Sequence, residues 1–177
     1  MKSLAEQMSF YHGYHTKKAT IYTHFVGIPL VMFSLMIVLS WVKIYVPGVY
    51  ATSLMWLALA LLCLYYVALD IVIGVAMIIA LGLLGWLAEF LTRHGPSATN
   101  AWIFAGCFIA GWVIQFIGHF FEGRRPALFD NLFQALIGPM FVVAEIFFMC
   151  GYKQKLKNKM LKFAEQRARV NDIKFTD

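Results

Sequence analysis

Charged side chains are scarce in this chain: Asp, Glu, Lys and Arg make up 14% of its 177 residues, against a hydrophobic fraction of 61% and a mean hydropathy of +0.71. A water-soluble domain is about half apolar and about one quarter charged, so a soluble globular fold is excluded and lipid is the expected solvent. Cysteine is also rare. Cys63, Cys107 and Cys150 lie singly within apolar stretches, with no CxxC or Cys/His spacing. That excludes a disulfide framework or a zinc ribbon and leaves them as small core residues. No HExxH or similarly tight catalytic signature is present. The N-terminus, MKSLAEQMSFYHGYHTKK, has no apolar core of the signal-peptide kind and is expected to stay on the mature protein.

Apolar runs are abundant. Five can be drawn, Phe25 to Val42, Ser53 to Leu69, Ile71 to Leu91, Ala101 to Gly118 and Leu132 to Gly151, separated by short polar or turn-forming breaks. A helix crosses a ~30 Å hydrocarbon core with about 20 residues, and the first four runs are suited to crossing. Asp70 alone separates the second from the third, which predicts a tight helical hairpin. The fifth contains Gln134, Gly138, Pro139 and Glu145, all costly or helix-disturbing in hydrocarbon, and is expected to be re-entrant or interfacial. The predicted fold is therefore an all-α integral membrane bundle of four transmembrane helices in one domain. A histidine-bearing region would occupy residues 1–24, the bundle 25–151 and a basic C-terminal helix 152–177.

The positive charge is unevenly placed. Eight of the fifteen Lys and Arg follow residue 152, and the other basic regions hold Lys2, Lys17 and Lys18 or Arg124 and Arg125. Four crossings would put all three regions, and both termini, on the cytoplasmic side of a bacterial inner membrane or the endoplasmic reticulum. A tail of this kind lies against anionic membrane lipid. It has no fold or aromatic pattern for nucleic acid. An even number of crossings also returns the chain to the face from which it set out.

That return matters because of the histidines. His12, His15 and His24 fall just before the first apolar run, and His119 directly follows the fourth. Neutral imidazoles converging at a lipid boundary suit iron or zinc. His12 and His15 are spaced to share a helical face, whereas His24, nine residues on, would stand half a revolution away on one straight helix. A turn within TKKAT is therefore expected. Glu122, three residues beyond His119, is a candidate metal ligand or a partner that orients an imidazole. Arg124 and Arg125 are candidates for binding a substrate carboxylate in bidentate fashion. The same residues also fit plainer roles: an interfacial belt of tyrosine and histidine, and positive-inside anchoring of a loop. Asp70 and Glu89 are intramembrane carboxylates, and His94 in RHGP is a surface residue.

Two blocks resemble a known family, the 2-hydroxy fatty acid dioxygenases of fungal sphingolipid-base breakdown and their bacterial relatives. FYHGYHTKKATIYTHFVGIPL carries Tyr14, His15, His24 and Pro29 in the family's spacing. GWVIQFIGHFFEGRRPALFDNLFQALIGP is similar over nearly its whole length, with Gly118, His119, Glu122, Arg125, Pro126, Asn131, Gln134 and Pro139 matching. The family commonly has His and Asn where this chain has Thr16 and Thr20. The resemblance implies an Fe(II)-dependent enzyme that uses O2 to shorten a 2-hydroxy fatty acid by one carbon in α-oxidation, with His15, His24 and His119 as iron ligands and His12 a candidate fourth. The competing expectation is a small membrane transporter or lipid-binding protein whose histidines carry protons and whose Asp70 and Glu89 line a path. A third is a scaffold that uses the basic tail to hold anionic lipid.

Overall fold

The computed structural model describes residues 2–45, 52–123 and 133–174, so Arg124 and Arg125 lie outside the described residues. Seven helices account for most of them: α1 (Leu4–His12), α2 (Lys18–Trp41), α3 (Leu54–Leu69), α4 (Ile71–Thr92), α5 (Ala98–Glu122), α6 (Gln134–Met149) and α7 (Gln154–Lys174). Between α2 and α3 the chain also forms a short antiparallel pair, β1 (Lys43–Ile44) with β2 (Thr52–Ser53), Lys43 opposite Ser53. Neither strand is visible in the apolar pattern.

Helices α2 to α5 run alternately up and down, as the contacts at the two ends show. At one end Ser40 donates to Thr92, while Lys43 and Ser53 both bond the Glu89 carboxylate at 2.6 and 2.9 Å. At the other end Tyr65 donates to Gln7 and Lys153 pairs with Asp70 at 2.8 Å. Helix α3 thus carries the chain back from the Glu89 end to the Asp70 end. The one-residue hairpin works because Asp70 adopts an extended backbone and its carboxylate accepts from the N–H groups of Val72 and Ile73, capping α4.

Helices α2, α4 and α5, with 24, 22 and 25 residues, are long and apolar enough to cross a membrane; α3 and α6 have 16 residues each. Large apolar side chains such as Leu61, Ile79, Leu83, Trp86, Trp102 and Ile109 stand exposed on the outside of the bundle. A soluble fold would bury such a surface, whereas lipid tolerates it.

Helix α6 is broken neither by Pro139 nor by its polar residues. Its inner face, from Gln134 through Phe148, is buried. Both of its ends are tied to the Asp70 end of the bundle: Tyr66 donates to the Leu136 carbonyl, and Lys153, just past α6, meets Asp70. Helix α7 packs on α1, burying Met160, with Arg167 close to Glu6.

The tightest seam is between α2 and α5. A Cβ on Gly27 would stand 2.8 Å from the Gly111 carbonyl and 2.6 Å from Gln115 Cγ, and one on Gly111 would stand 2.9 Å from the Gly27 carbonyl. Small residues that let two backbones touch are the characteristic packing device of membrane helices. Gly27→Ala is expected to lower stability by about 1–3 kcal/mol, the usual cost of overpacking. Gly82→Ala, where a Cβ meets nothing within 4 Å, serves as the control. Thermal melts in detergent check this; equal shifts for both variants would show that the close approach is not what holds the helices.

Candidate metal centre

Helix α1 ends at His12, and successive tight bonds, from Tyr14 N–H to Tyr11 and from His15 N–H to His12, swing the chain so that the His15 ring turns inward. The break spans residues 13–17, overlapping the start of TKKAT. Helix α2 opens at Lys18, earlier than the apolar run, and so places His24 on its second turn. Helix α5 likewise runs past its apolar run to Glu122, where Gly123 in the left-handed conformation (φ 74°) ends it. His119 and Glu122 are therefore helical residues, not loop residues.

These three placements bring His15, His24 and His119 together, with one ring nitrogen of each within 4.8 Å of the others. All are buried, at 1, 3 and 4% exposure. Two of the tautomers are dictated by local bonds. His15 Nδ1 lies 2.8 Å from the Tyr11 carbonyl and His24 Nδ1 lies 2.8 Å from the Thr20 carbonyl. A carbonyl only accepts, so each Nδ1 carries the proton and each Nε2 is left with a bare lone pair. Yet the two Nε2 atoms face each other at 3.0 Å. Two lone pairs cannot bond to one another; a cation between them resolves the conflict. Nitrogens about 2.1 Å from one ion and at right angles to each other would stand about 3.0 Å apart, so the pair has the spacing of adjacent ligands. The carbonyl bonds are the outer contacts that usually fix metal-bound histidines.

The surroundings keep the His15 imidazole neutral. Burial first, and His24 second, hold the His15 pKa down to about 2, despite the opposing Tyr11 carbonyl bond. Tyr11 stacks on His15 with ring centroids 4.0 Å apart, and Phe141 of α6 packs against both rings. Burial raises the Tyr11 pKa, so it remains a phenol.

Glu122 lies apart from the cluster. Its carboxylate accepts from the N–H of Thr16 and of Lys17 at 3.0 Å, from the Thr20 hydroxyl at 2.7 Å and from the Thr16 hydroxyl. It binds the turn between α1 and α2 to the end of α5, holding His15 and His24 against His119. The two threonines at which the chain departs from the family pattern are the side chains that hold it. His12 is outside the cluster too; burial lowers its pKa, with Glu122 and Lys157 acting in opposite directions. His94 is an exposed partner of Arg93.

A cavity extends from the histidines, bounded by Ile28, Val31 and Leu35 of α2, Trp112 of α5, and Gln134 and Gly138 of α6. Away from the histidines it is mostly apolar, with Gln115 and Gln134 as polar lining. Leu35 is 43% exposed, so the far end of this trench opens to the outside of the bundle. The apolar pattern places these residues in helices, but which faces meet is a tertiary fact that no spacing announces.

The family model for Mpo1-like proteins, described as 2-hydroxy-palmitic acid dioxygenase Mpo1-like, matches residues 1–150. The chain belongs to the Mpo1-like family. A Saccharomyces cerevisiae protein named 2-hydroxy-palmitic acid dioxygenase MPO1 is 34% identical over 156 residues, which cover 87% of this chain and 85% of the yeast protein. No solved structure matches the chain. The Mpo1-like match spans α1 to α6, the helices that supply the histidines and the trench, and stops before the basic α7.

Replacing Glu122 with alanine would remove the acceptor shared by the part-buried N–H bonds of Thr16 and Lys17 and by two hydroxyls; bonds to a charged acceptor contribute about 1.5–3 kcal/mol each. Glu122→Ala is expected to melt well below the wild type, with Glu122→Gln, which keeps one acceptor oxygen, in between. A wild-type melting temperature for Glu122→Ala would remove the carboxylate from this structural role.

Proposed function

We propose that the chain is an Fe(II)-dependent dioxygenase that shortens 2-hydroxy fatty acids by one carbon, with His15, His24 and His119 as the iron ligands. Membership of a dioxygenase family supports the reaction class. The observation that carries the reading is the pair of buried imidazole lone pairs opposed at 3.0 Å, at the head of an apolar trench. The nitrogen donor set alone accommodates iron, zinc or copper. Iron is preferred because it supplies the activation of O2 that zinc cannot.

In the reaction R–CH(OH)–COOH + O2 → R–COOH + CO2 + H2O, the C1–C2 bond breaks, C1 leaves as carbon dioxide and C2 becomes the new carboxyl carbon. Dioxygen is the oxidant and its reduction balances the equation. The chain's residues hold the acid so that C1 and C2 lie beside the histidines, with the alkyl tail in the trench, and such positioning converts an encounter into an intramolecular step. Tyr11 and Phe141 close the inner side and exclude water. Arg124 and Arg125 are assigned to the substrate carboxylate. Glu122 and His12 act as positioning and neighbouring residues outside the ligand set.

Four crossings are the reading that chain continuity supports, since α3, with 16 residues, connects the end of α2 to the start of α4. Helix α6, tied at both ends to the Asp70 end, lies across that face as an interfacial element. The histidines then sit at the cytoplasmic face with both termini, in a bacterial inner membrane or the endoplasmic reticulum. The transporter reading is weaker: Asp70 and Glu89 stand at opposite ends of the bundle, each paired with a lysine, and offer no continuous proton path.

The purified protein, incubated anaerobically with Fe(II) and 2-hydroxypalmitate and then given air, is expected to yield the odd-chain acid. His119→Ala is expected to abolish that product and lower bound iron, whereas His12→Ala keeps its iron; unchanged activity in His119→Ala would remove it from the ligand set. Leu35→Trp, at the trench mouth, should penalise long substrates. Losing contact with two methylenes at about 0.8 kcal/mol each is roughly a tenfold loss in kcat/KM for 2-hydroxypalmitate, with 2-hydroxyoctanoate little affected. Equal effects on both acids would place the chain elsewhere.

A further inference from the structure

We infer that Gln134 distinguishes a 2-hydroxy acid from an unsubstituted one by accepting a hydrogen bond from the substrate's 2-hydroxyl; this rests on the fatty-acid reading of the cavity. Gln134 opens α6 and lines the same cavity as His15, His24 and His119. The residue is only 6% exposed. Its side-chain Oε1 is nonetheless buried with no hydrogen-bond partner among the described residues. Buried polar atoms are nearly always bonded, and an orphan in a binding cavity asks which ligand group completes it.

The missing partner must be a donor, because an amide oxygen only accepts. In a fatty acid ionised at neutral pH the carboxylate also only accepts and the alkyl chain offers nothing. The 2-hydroxyl is the single donor a 2-hydroxy acid carries. It is attached to the carbon next to the carboxyl, the part of the molecule that the reaction requires beside the histidines. The start of α6 is held in place, because the Leu136 carbonyl, two residues on, takes the Tyr66 hydroxyl at 2.7 Å. Gly138 leaves room beside it, since a Cβ there would stand 3.1 Å from the Tyr11 hydroxyl and 3.3 Å from Ile28 Cδ1. A site built to bond a hydroxyl rejects the analogue that lacks one more strongly than an apolar pocket rejects a missing methylene, because the buried acceptor is left unpaired. Sequence spacing assigns Gln134 no role beyond a polar disturbance of an apolar run.

The test is equilibrium binding of radiolabelled 2-hydroxypalmitate and palmitate to the Fe(II)-loaded, full-length protein under argon, where no turnover occurs. The readout is the ratio of the two Kd values. In Gln134→Leu this ratio is expected to shift about tenfold toward palmitate relative to the wild type, the effect of about one hydrogen bond, with palmitate itself bound at least as well as before. Iron content equal to the wild type's certifies the fold, and Gln134→Met, which keeps the side chain's length, replaces the leucine variant if that fails. An unchanged ratio overturns the assignment of Gln134 while leaving the fatty-acid reading intact. Failure of the wild type to bind either acid overturns that reading, and the inference with it.

Discussion

Two neutral imidazoles are forced to point their lone pairs at one another inside an apolar helical bundle, and the rest of the site is arranged around that conflict. Each ring has committed its only proton to a backbone carbonyl four residues earlier in the chain, Tyr11 for His15 and Thr20 for His24. In water such rings would turn away or protonate. Here Tyr11 stacks on one face of His15, Phe141 packs against the same ring and burial disfavours the charged form. A shared cation would relieve that conflict, and His119 brings a third ring nitrogen to a group that could hold a metal ion.

Holding that arrangement needs three separated pieces of chain in register. The glycine seam between α2 and α5 sets the distance from His24 to His119. The Glu122 carboxylate gathers Thr16, Lys17 and Thr20, so the turn carrying His15 cannot lift away from α5. Helix α6 then lies across the same end and supplies one wall of the trench. Polar economy matches the apolar exterior: Asp70, Glu89 and Glu122 are engaged by a cap, lysines or this clamp and are not left bare on the apolar helix faces.

Much of this was legible in the residues. Composition and the spacing of apolar runs indicated the helices, and Asp70 marked the hairpin. Positive-inside counting put residue 15 and residue 119 at one face, where the structure brings them together. The histidine triad was accessible because imidazoles at a bundle end are rare enough to stand out. Glu122 was harder, since its spacing from His119 suits a ligand equally well; only its bonds to a turn more than a hundred residues earlier in the chain reveal a clamp. The helix ends were missed by about two turns at the start of α2 and about one at α5 because polar first and last turns do not register in an apolar pattern. The trench and the orphaned oxygen of Gln134 arise where α6 meets α2, and contacts between elements distant in sequence leave no periodic trace. The β1–β2 pair is too short to show one.

Three nitrogen donors around one ion are the feature on which the chemistry stands, and X-ray absorption spectroscopy of the iron-loaded protein reads it directly. The iron's first shell is expected to contain three imidazole rings, with one lost in each of His15→Ala, His24→Ala and His119→Ala. A shell of oxygen alone, or one that is the same in all three variants, would contradict it.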